Sequence, residues 1–172
     1  MKNLNNVIAK VGLSAFITLS ATVGAPYTAY KEGLRLKPYM DGGGVKTWCR
    51  GETEVNYKEE FTEQECDVMF YIRYGMYSKS VALMYNDTAK AVVTPRMHAA
   101  LVDMAYNIGI NGVRKSSMMR LFNAGQPAKA CEAFLLYKYA AGQDCSDPKN
   151  RTCPGVWTRR KETHKMCLED LR

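Results

Sequence analysis

Apolar positions follow two regimes along this chain. Between Val11 and Tyr30 no charged residue occurs, and Lys2 and Lys10 precede the run. A helix of that length just crosses a bilayer core of roughly 30 Å. Its strongly apolar residues are diluted by Gly12, Ser14, Ala15, Thr18, Ser20, Ala21, Thr22, Gly24, Ala25 and Thr28. Leu, Ile, Phe and Val each favour insertion by only about 0.3–0.6 kcal/mol. The run therefore reads as a weakly hydrophobic helix, marginally stable in a membrane.

Beyond residue 30 the pattern changes. Pro26 suits the first turn of a short helix and Gly33 its stop, so Glu32 is expected at a helix end. Lys37-Pro38 and Gly42-Gly43-Gly44 break any helix there, which makes residues 39–57 a small hairpin-rich lobe with 45–49 as its best strand. Thr62-Glu63-Gln64-Glu65 is a capping box that opens a helix reaching about Met84. Thr94 and Pro95 form a second helix start, after which Met97, Leu101, Met104, Ala105 and Ile108 recur at helical spacing. Gly109 is the expected stop. Shorter helices are predicted over 116–123 and 127–139, then a loop over 142–154 and a basic helix over 156–171. A small β lobe and a larger helical lobe make an α+β fold, with a cleft between lobes as the natural place for a site.

The length of 172 residues fits a membrane segment at residues 1–30 and one catalytic domain at residues 31–172. Such a domain can bury its own core, so a monomer is expected. A net charge of +7 favours a polyanionic partner. Nucleic acid, anionic lipid and acidic wall polymer all qualify, but the basic residues are scattered and match no nucleic-acid-binding motif, so no nucleic-acid partner is expected.

Six cysteines, Cys49, Cys66, Cys131, Cys145, Cys153 and Cys167, all follow the apolar segment. An even count in that position favours an oxidising, extracytoplasmic setting. Sequence leaves their pairing open; the local pairs Cys49–Cys66 and Cys145–Cys153 would leave Cys131–Cys167. No Cys-x-x-Cys occurs, and His98 and His164 stand far from any cysteine ladder, so no metal site is expected.

Three readings of the N-terminus compete. A cleaved secretory signal has the right charged start, but Pro26 directly follows the best cleavage site at Val23-Gly24-Ala25. A permanent anchor lacks apolar strength. An uncleaved signal that inserts and later leaves the bilayer fits the weak hydrophobicity.

Glu32, Asp41 and Thr47 are the candidate chemistry. Glycoside hydrolysis needs a protonated carboxyl for the leaving oxygen and an ionised group across the bond. A Glu at a helix end facing the cleft could stay protonated through desolvation. An Asp beside glycines would keep its charge, and a strand-borne Thr could hold a water. The plain alternative is that Glu32 is an exposed charge and that Asp41 only initiates a turn.

The run from Glu32 through Gly51 resembles the active-site region of phage-type lysozymes, whose hallmark is Glu, eight residues, Asp, five residues, Thr. Gly33-Leu34-Arg35-Leu36-Lys37-Pro38-Tyr39 and Gly44-Val45-Lys46-Thr47 also match. So do Ala105-Tyr106-Asn107-Ile108-Gly109, the following Gly112 and Val113, and Trp157-Thr158-Arg159-Arg160-Lys161-Glu162. The resemblance implies a lysozyme-like fold and a muramidase, without metal or organic cofactor. Glu32 would act as general acid on the β-1,4 bond of peptidoglycan, Asp41 would position or activate the water, and Thr47 would orient it. It also implies inversion, and an arginine at Arg159 that pairs with Glu32; the neighbouring Arg160 is the rival for that role. Tyr39 and Asn107 are candidate substrate contacts, and Trp48 is more readily a packing residue. In one respect the chain departs from the pattern: Glu52 stands where the family usually has His, adding a third acidic residue near the site. Gly42-Gly43 also loosens the turn after Asp41.

A set of these endolysins carries a signal-arrest-release segment, and residues 11–30 look like one. The resemblance then implies delivery by the export machinery to the periplasm of a Gram-negative host. The chain would be tethered at first to the inner membrane and inactive, for host lysis after release. No Cys lies in the segment, so a thiol-exchange switch through it is not available. A catalytically dead wall-binding module on the same scaffold is the rival from another class.

Overall fold

The computed structural model describes residues 7–41, 44–53 and 58–171, with the backbone alone at 7–11. The first helix, α1 (Val7–Glu32), is interrupted at Gly12, whose φ of 77° suits glycine. Pro26 lies inside α1 rather than at its start. Tertiary packing overrides the local breaker: Phe16, Ser20, Ala25 and Thr28 on this helix are fully buried. The small residues have a structural use. A Cβ on Gly24 would stand 2.7 Å from Ala99 Cβ and 2.2 Å from the Tyr74 hydroxyl, so glycine lets α1 lie directly on its neighbours. The buried hydroxyl of Ser20 donates to the Phe16 carbonyl at 2.8 Å.

Strands β1 (Arg35–Met40) and β2 (Lys46–Cys49) form an antiparallel pair in which Tyr39 faces Thr47 and Met40 faces Lys46. A hairpin is expected here, but its first strand begins at Arg35, ahead of the expected start at residue 39; the Gly42-Gly43 part of its turn and residues 54–57 lie outside the described residues. Its underside is a separate small core of Trp48, Cys49, Phe61 and Cys66. Trp48 and Phe61 stack with ring centroids 5.8 Å apart, which settles Trp48 as a packing residue.

Helix α2 (Glu63–Ala82) opens on the anticipated capping box: the Thr62 hydroxyl accepts from the Glu65 amide, and the Glu65 carboxylate accepts from the Thr62 amide. A short helix, α3 (Asp87–Val92), follows with Asn86 as its cap; its few residues carry no readable period. Helix α4 (Pro95–Arg114) starts at Thr94 as expected, and its first part ends at Gly109, the expected stop. That glycine takes a φ of 77° inside the run, and the helix resumes beyond it. Helices α5 (Ser117–Asn123) and α6 (Pro127–Glu132) come next. The helix expected to continue to residue 139 instead tightens into a 3₁₀ turn at Ala133–Leu136 and gives way to a hairpin. That hairpin pairs β3 (Tyr139–Ala140) with β4 (Gln143–Asp144). Its two-residue turn uses Ala141 and Gly142, both with positive φ, the primed-turn geometry. Helix α7 (Pro154–Leu168) closes the chain against α4 and α6.

Buried side chains of α4 form the centre of the main core, with α1, α2 and α7 around it. All six cysteines are bridged: Cys49–Cys66 ties β2 to α2, Cys131–Cys167 ties α6 to α7, and Cys145–Cys153 closes the loop before α7. No helix among the described residues is long and apolar enough to cross a membrane.

Candidate active site

Glu32 is the last residue of α1, and Gly33 with a φ of 71° takes the left-handed step that ends the helix. The guanidinium of Arg50, just after β2, donates to the Ala29 and Gly33 carbonyls at 3.1 and 3.2 Å. This cation both caps the helix end and fastens the β lobe to it. Arg50 is itself held by Asp67 of α2. The loop after β2 comes close to the Glu32 carboxylate, since a Cβ on Gly51 would lie 3.7 Å from Oε2.

On the other side Glu32 Oε1 accepts from Arg159 Nη2 at 2.7 Å. Arg159, not Arg160, is thus the partner of Glu32. Arg159 also donates through Nε and Nη2 to the two oxygens of Asp103, at 3.0 and 2.7 Å. Asp103 is fully buried in α4 and accepts a further bond from the Thr28 hydroxyl at 3.1 Å. Burial pushes the Glu32 carboxyl above the usual range, and Asp103 adds to this; Arg159 pulls the other way but does not win. Burial thus opposes the ionised form of Glu32 and Arg159 favours it, with burial the larger effect.

Asp41 and Thr47 are both organised by Val45. Asp41 exchanges backbone bonds with the far side of its turn, its amide donating to the Val45 carbonyl at 2.9 Å. Its Oδ1 accepts from the Val45 amide at 2.8 Å. The hydroxyl of buried Thr47 donates to the same Val45 carbonyl at 3.1 Å. Thr47 can therefore still accept a bond from water through its remaining lone pairs.

Glu52 is buried and forms an ion pair with Arg73 of α2 at 2.5 Å. Tyr106 stands near both Glu52 and Glu32; burial chiefly, then Glu52, pushes its phenol up, so it is neutral. Tyr39 is exposed beside the hairpin, with the Arg35 guanidinium 5.3 Å from its ring centre. Asn107 is exposed too and accepts from Arg160 Nη2, while Arg160 Nε donates to the Tyr137 carbonyl at 2.9 Å. A hollow of 390 Å³ beside the Glu32–Arg159 pair is lined by Lys31, Asn107, Gly155, Val156, Thr158 and Arg159. Among the described residues no group of His, Cys, Asp or Glu could hold a metal.

Sequence reading missed Asp103, Thr28, Arg50 and Arg73. Asp103 did leave a trace: it is a carboxylate within the apolar stripe that includes Leu101, Met104 and Ala105. Such a residue is buried only with a cationic or hydrogen-bonding partner.

The chain combines a mostly helical fold with a small antiparallel hairpin, with Glu32 at the end of α1, Asp41 just after β1 and Thr47 in β2. The family model for phage lysozyme matches residues 29–163, and the chain belongs to that family; it is a muramidase of the endolysin kind. Among curated relatives, the SAR-endolysin of Bacteriophage PS119 is 29% identical over 167 residues, covering 95% of this chain and 93% of that protein. The SAR-endolysin of Escherichia phage N15 is 30% identical over 176 residues, covering 94% and 96%. Among solved structures, the active form of the P1 phage endolysin Lyz superposes with a TM-score of 0.72 at 19% identity, over 93% of this chain and 95% of that one. The endolysin of Escherichia coli O157:H7 phage FAHEc1 gives 0.70 at 21% identity, over 86% and 91%. At these identities the structures show the shared fold.

Proposed function

We propose that this chain cuts the β-1,4 bond between N-acetylmuramic acid and N-acetylglucosamine in one inverting step. Glu32 gives its proton to the leaving glycosidic oxygen as the C1–O bond breaks. A water oxygen bonds to C1 from the opposite face, and Asp41 takes the proton that water gives up, with Thr47 holding it in line. Tyr39 and Asn107 touch the glycan. The observation that supports the assignment best is the setting of Glu32 at the end of α1, where burial pushes its carboxyl above the usual range while Arg159 holds one of its oxygens, as suits a proton donor. A Glu32→Gln variant tests it by turbidity of permeabilised Gram-negative cells. A folded variant with wall hydrolysis reduced at least about 100-fold is expected; retained hydrolysis points instead to another acid or to a lysis that is not enzymatic.

The chain is also proposed to act in the periplasm after a tethered, inactive stage at the inner membrane. In that stage residues 11–30 sit in lipid as the membrane segment, and residues 31–172 follow as the catalytic domain. Two observations support this. The same residues that make a weak span are those packed against α4 in the folded domain, and Glu32 follows Tyr30 by two positions. The segment cannot occupy lipid and the core together. The curated relatives carrying the SAR-endolysin name cover nearly the whole chain, this segment included. A version anchored permanently by Leu enrichment of residues 11–30 should lyse far more slowly than the released chain; equal rates would refute the tethering reading. The N-terminus of the periplasmic species decides between release and cleavage.

A further inference from the structure

Asp103 is a fully buried carboxylate that takes no part in the proposed bond-breaking. It grips Arg159 with both oxygens, and Arg159 Nη2 is shared with Glu32. Counting charge decides what this does. With Glu32 protonated, the cluster Glu32–Arg159–Asp103 is neutral. With Glu32 ionised, it holds one net negative charge in a largely desolvated place, which burial disfavours. Were residue 103 uncharged, the count would reverse: Glu32 would be the sole carboxylate on Arg159, and the ionised pair would be the neutral state.

Three of the cations around the cluster are matched by other carboxylates. Lys31 pairs with Glu162 at 2.5 Å, and Tyr27 donates to the same carboxylate. Arg50 is matched by Asp67 and Arg73 by Glu52. Arg160 is bonded to neutral groups, the Tyr137 carbonyl and Asn107, and faces Asp103 and Arg159, so Asp103 is the carboxylate that meets its charge as well as that of Arg159. Tyr74 and Tyr106 are neutral phenols raised by burial.

We infer that Asp103 is a positioning residue for the muramidase reaction: by absorbing the charge of Arg159 it leaves Glu32 as the proton carrier of the site. The inference rests on Glu32 being the general acid. Its test is the titration of the Glu32 side-chain carboxyl by ¹³C NMR, beside the pH profile of kcat/KM on purified peptidoglycan, for the wild type, Asp103→Asn and Asp103→Glu. In Asp103→Asn the Glu32 midpoint should fall by about one pH unit or more. The alkaline limb of the profile should move with it, giving roughly tenfold less activity at pH 7 and a smaller loss at pH 5, chiefly in kcat. Asp103→Glu, which keeps the charge, should restore most of the limb. An unmoved or raised Glu32 midpoint in Asp103→Asn overturns the inference, as does a loss equal at every pH. Should Asp103→Asn not fold, the wild type still decides: a Glu32 midpoint at or below the ordinary value of about 4.3 refutes it. Activity surviving in Glu32→Gln would instead remove the parent assignment and leave the NMR result standing.

Discussion

Gly24 and Ala99 bring α1 and α4 so close that a single added methyl at residue 24 would stand 2.7 Å from the alanine Cβ. This contact gives the small residues of α1 a structural use. Small and hydroxylated residues weaken a membrane span, yet they allow helices to pack at close range and satisfy their own hydroxyls within the helix. Under the proposed tethered stage one composition would serve two environments, and release would carry Glu32 into place with the helix.

Gly24→Leu therefore acts in both places in the same direction. In the folded domain it forces α1 off α4, an overpacking cost of about 1–3 kcal/mol. In lipid it adds an apolar residue. The purified variant should melt lower, by roughly 2–4 °C for each kcal/mol lost, and its lysis should be delayed. Leu19→Ile, at a position exposed in the folded domain, is the control and should change the melting point little. A Gly24→Leu protein melting with the wild type would contradict the close packing.

Much of this arrangement was legible from local signals. The Thr62 capping box, the Thr94-Pro95 start and the Thr47 strand are each written in a few adjacent residues, and so is the placement of Glu32 at a helix end before Gly33. What was not legible depends on distant partners. Pro26 looks like a boundary, but packing on α2 and α4 carries α1 through it, whereas Gly109 does break α4, which resumes beyond it. The hairpin at 139–144 and the six-residue α3 are too short for a period to emerge. Asp103 could be seen as an acidic residue in an apolar stripe, but its bond to Arg159 joins residues 56 positions apart. Chain pattern alone does not supply such a pairing.

The raised Glu32 carboxyl sets a sign for stability against pH. A group that binds its proton more tightly in the folded state than in the unfolded one favours folding at low pH. That contribution is complete below the unfolded value of about 4.3 and is lost as pH rises through the higher folded value. Glu32 thus costs stability at neutral pH, by about 1.4 kcal/mol for every tenfold that folding tightens its hold on the proton. Glu32→Gln keeps an oxygen for Arg159 and removes the titration. Urea unfolding should find the variant gaining on the wild type between pH 4 and pH 7. A difference that stays flat across that window would show that Glu32 is not desolvated in solution.

Cys49–Cys66 joins the β1–β2 hairpin, which holds the proposed Thr47 and leads to Asp41, to α2 across a sequence separation of 17. Cys49 lies between Thr47 and two residues at the end of α1: Arg50, which binds the Ala29 and Gly33 carbonyls, and Gly51, beside the Glu32 carboxylate. Closing a loop of this size is worth about 3 kcal/mol, and here the effect should be local, because the hairpin has its own small core around Trp48 and Phe61. In a Cys49→Ser/Cys66→Ser protein, hydrogen exchange should quicken first in β1 and β2, while the amides of α4 stay protected. Activity should then fall more than global stability, since Asp41 and Thr47 lose their fixed relation to Glu32. Removing Cys131–Cys167 should do the reverse: it ties α6 to α7, so it should lower the melting point while leaving the hairpin amides slow. If the two double variants lost activity and stability in the same proportion, the β lobe would not be the separately stapled unit described above.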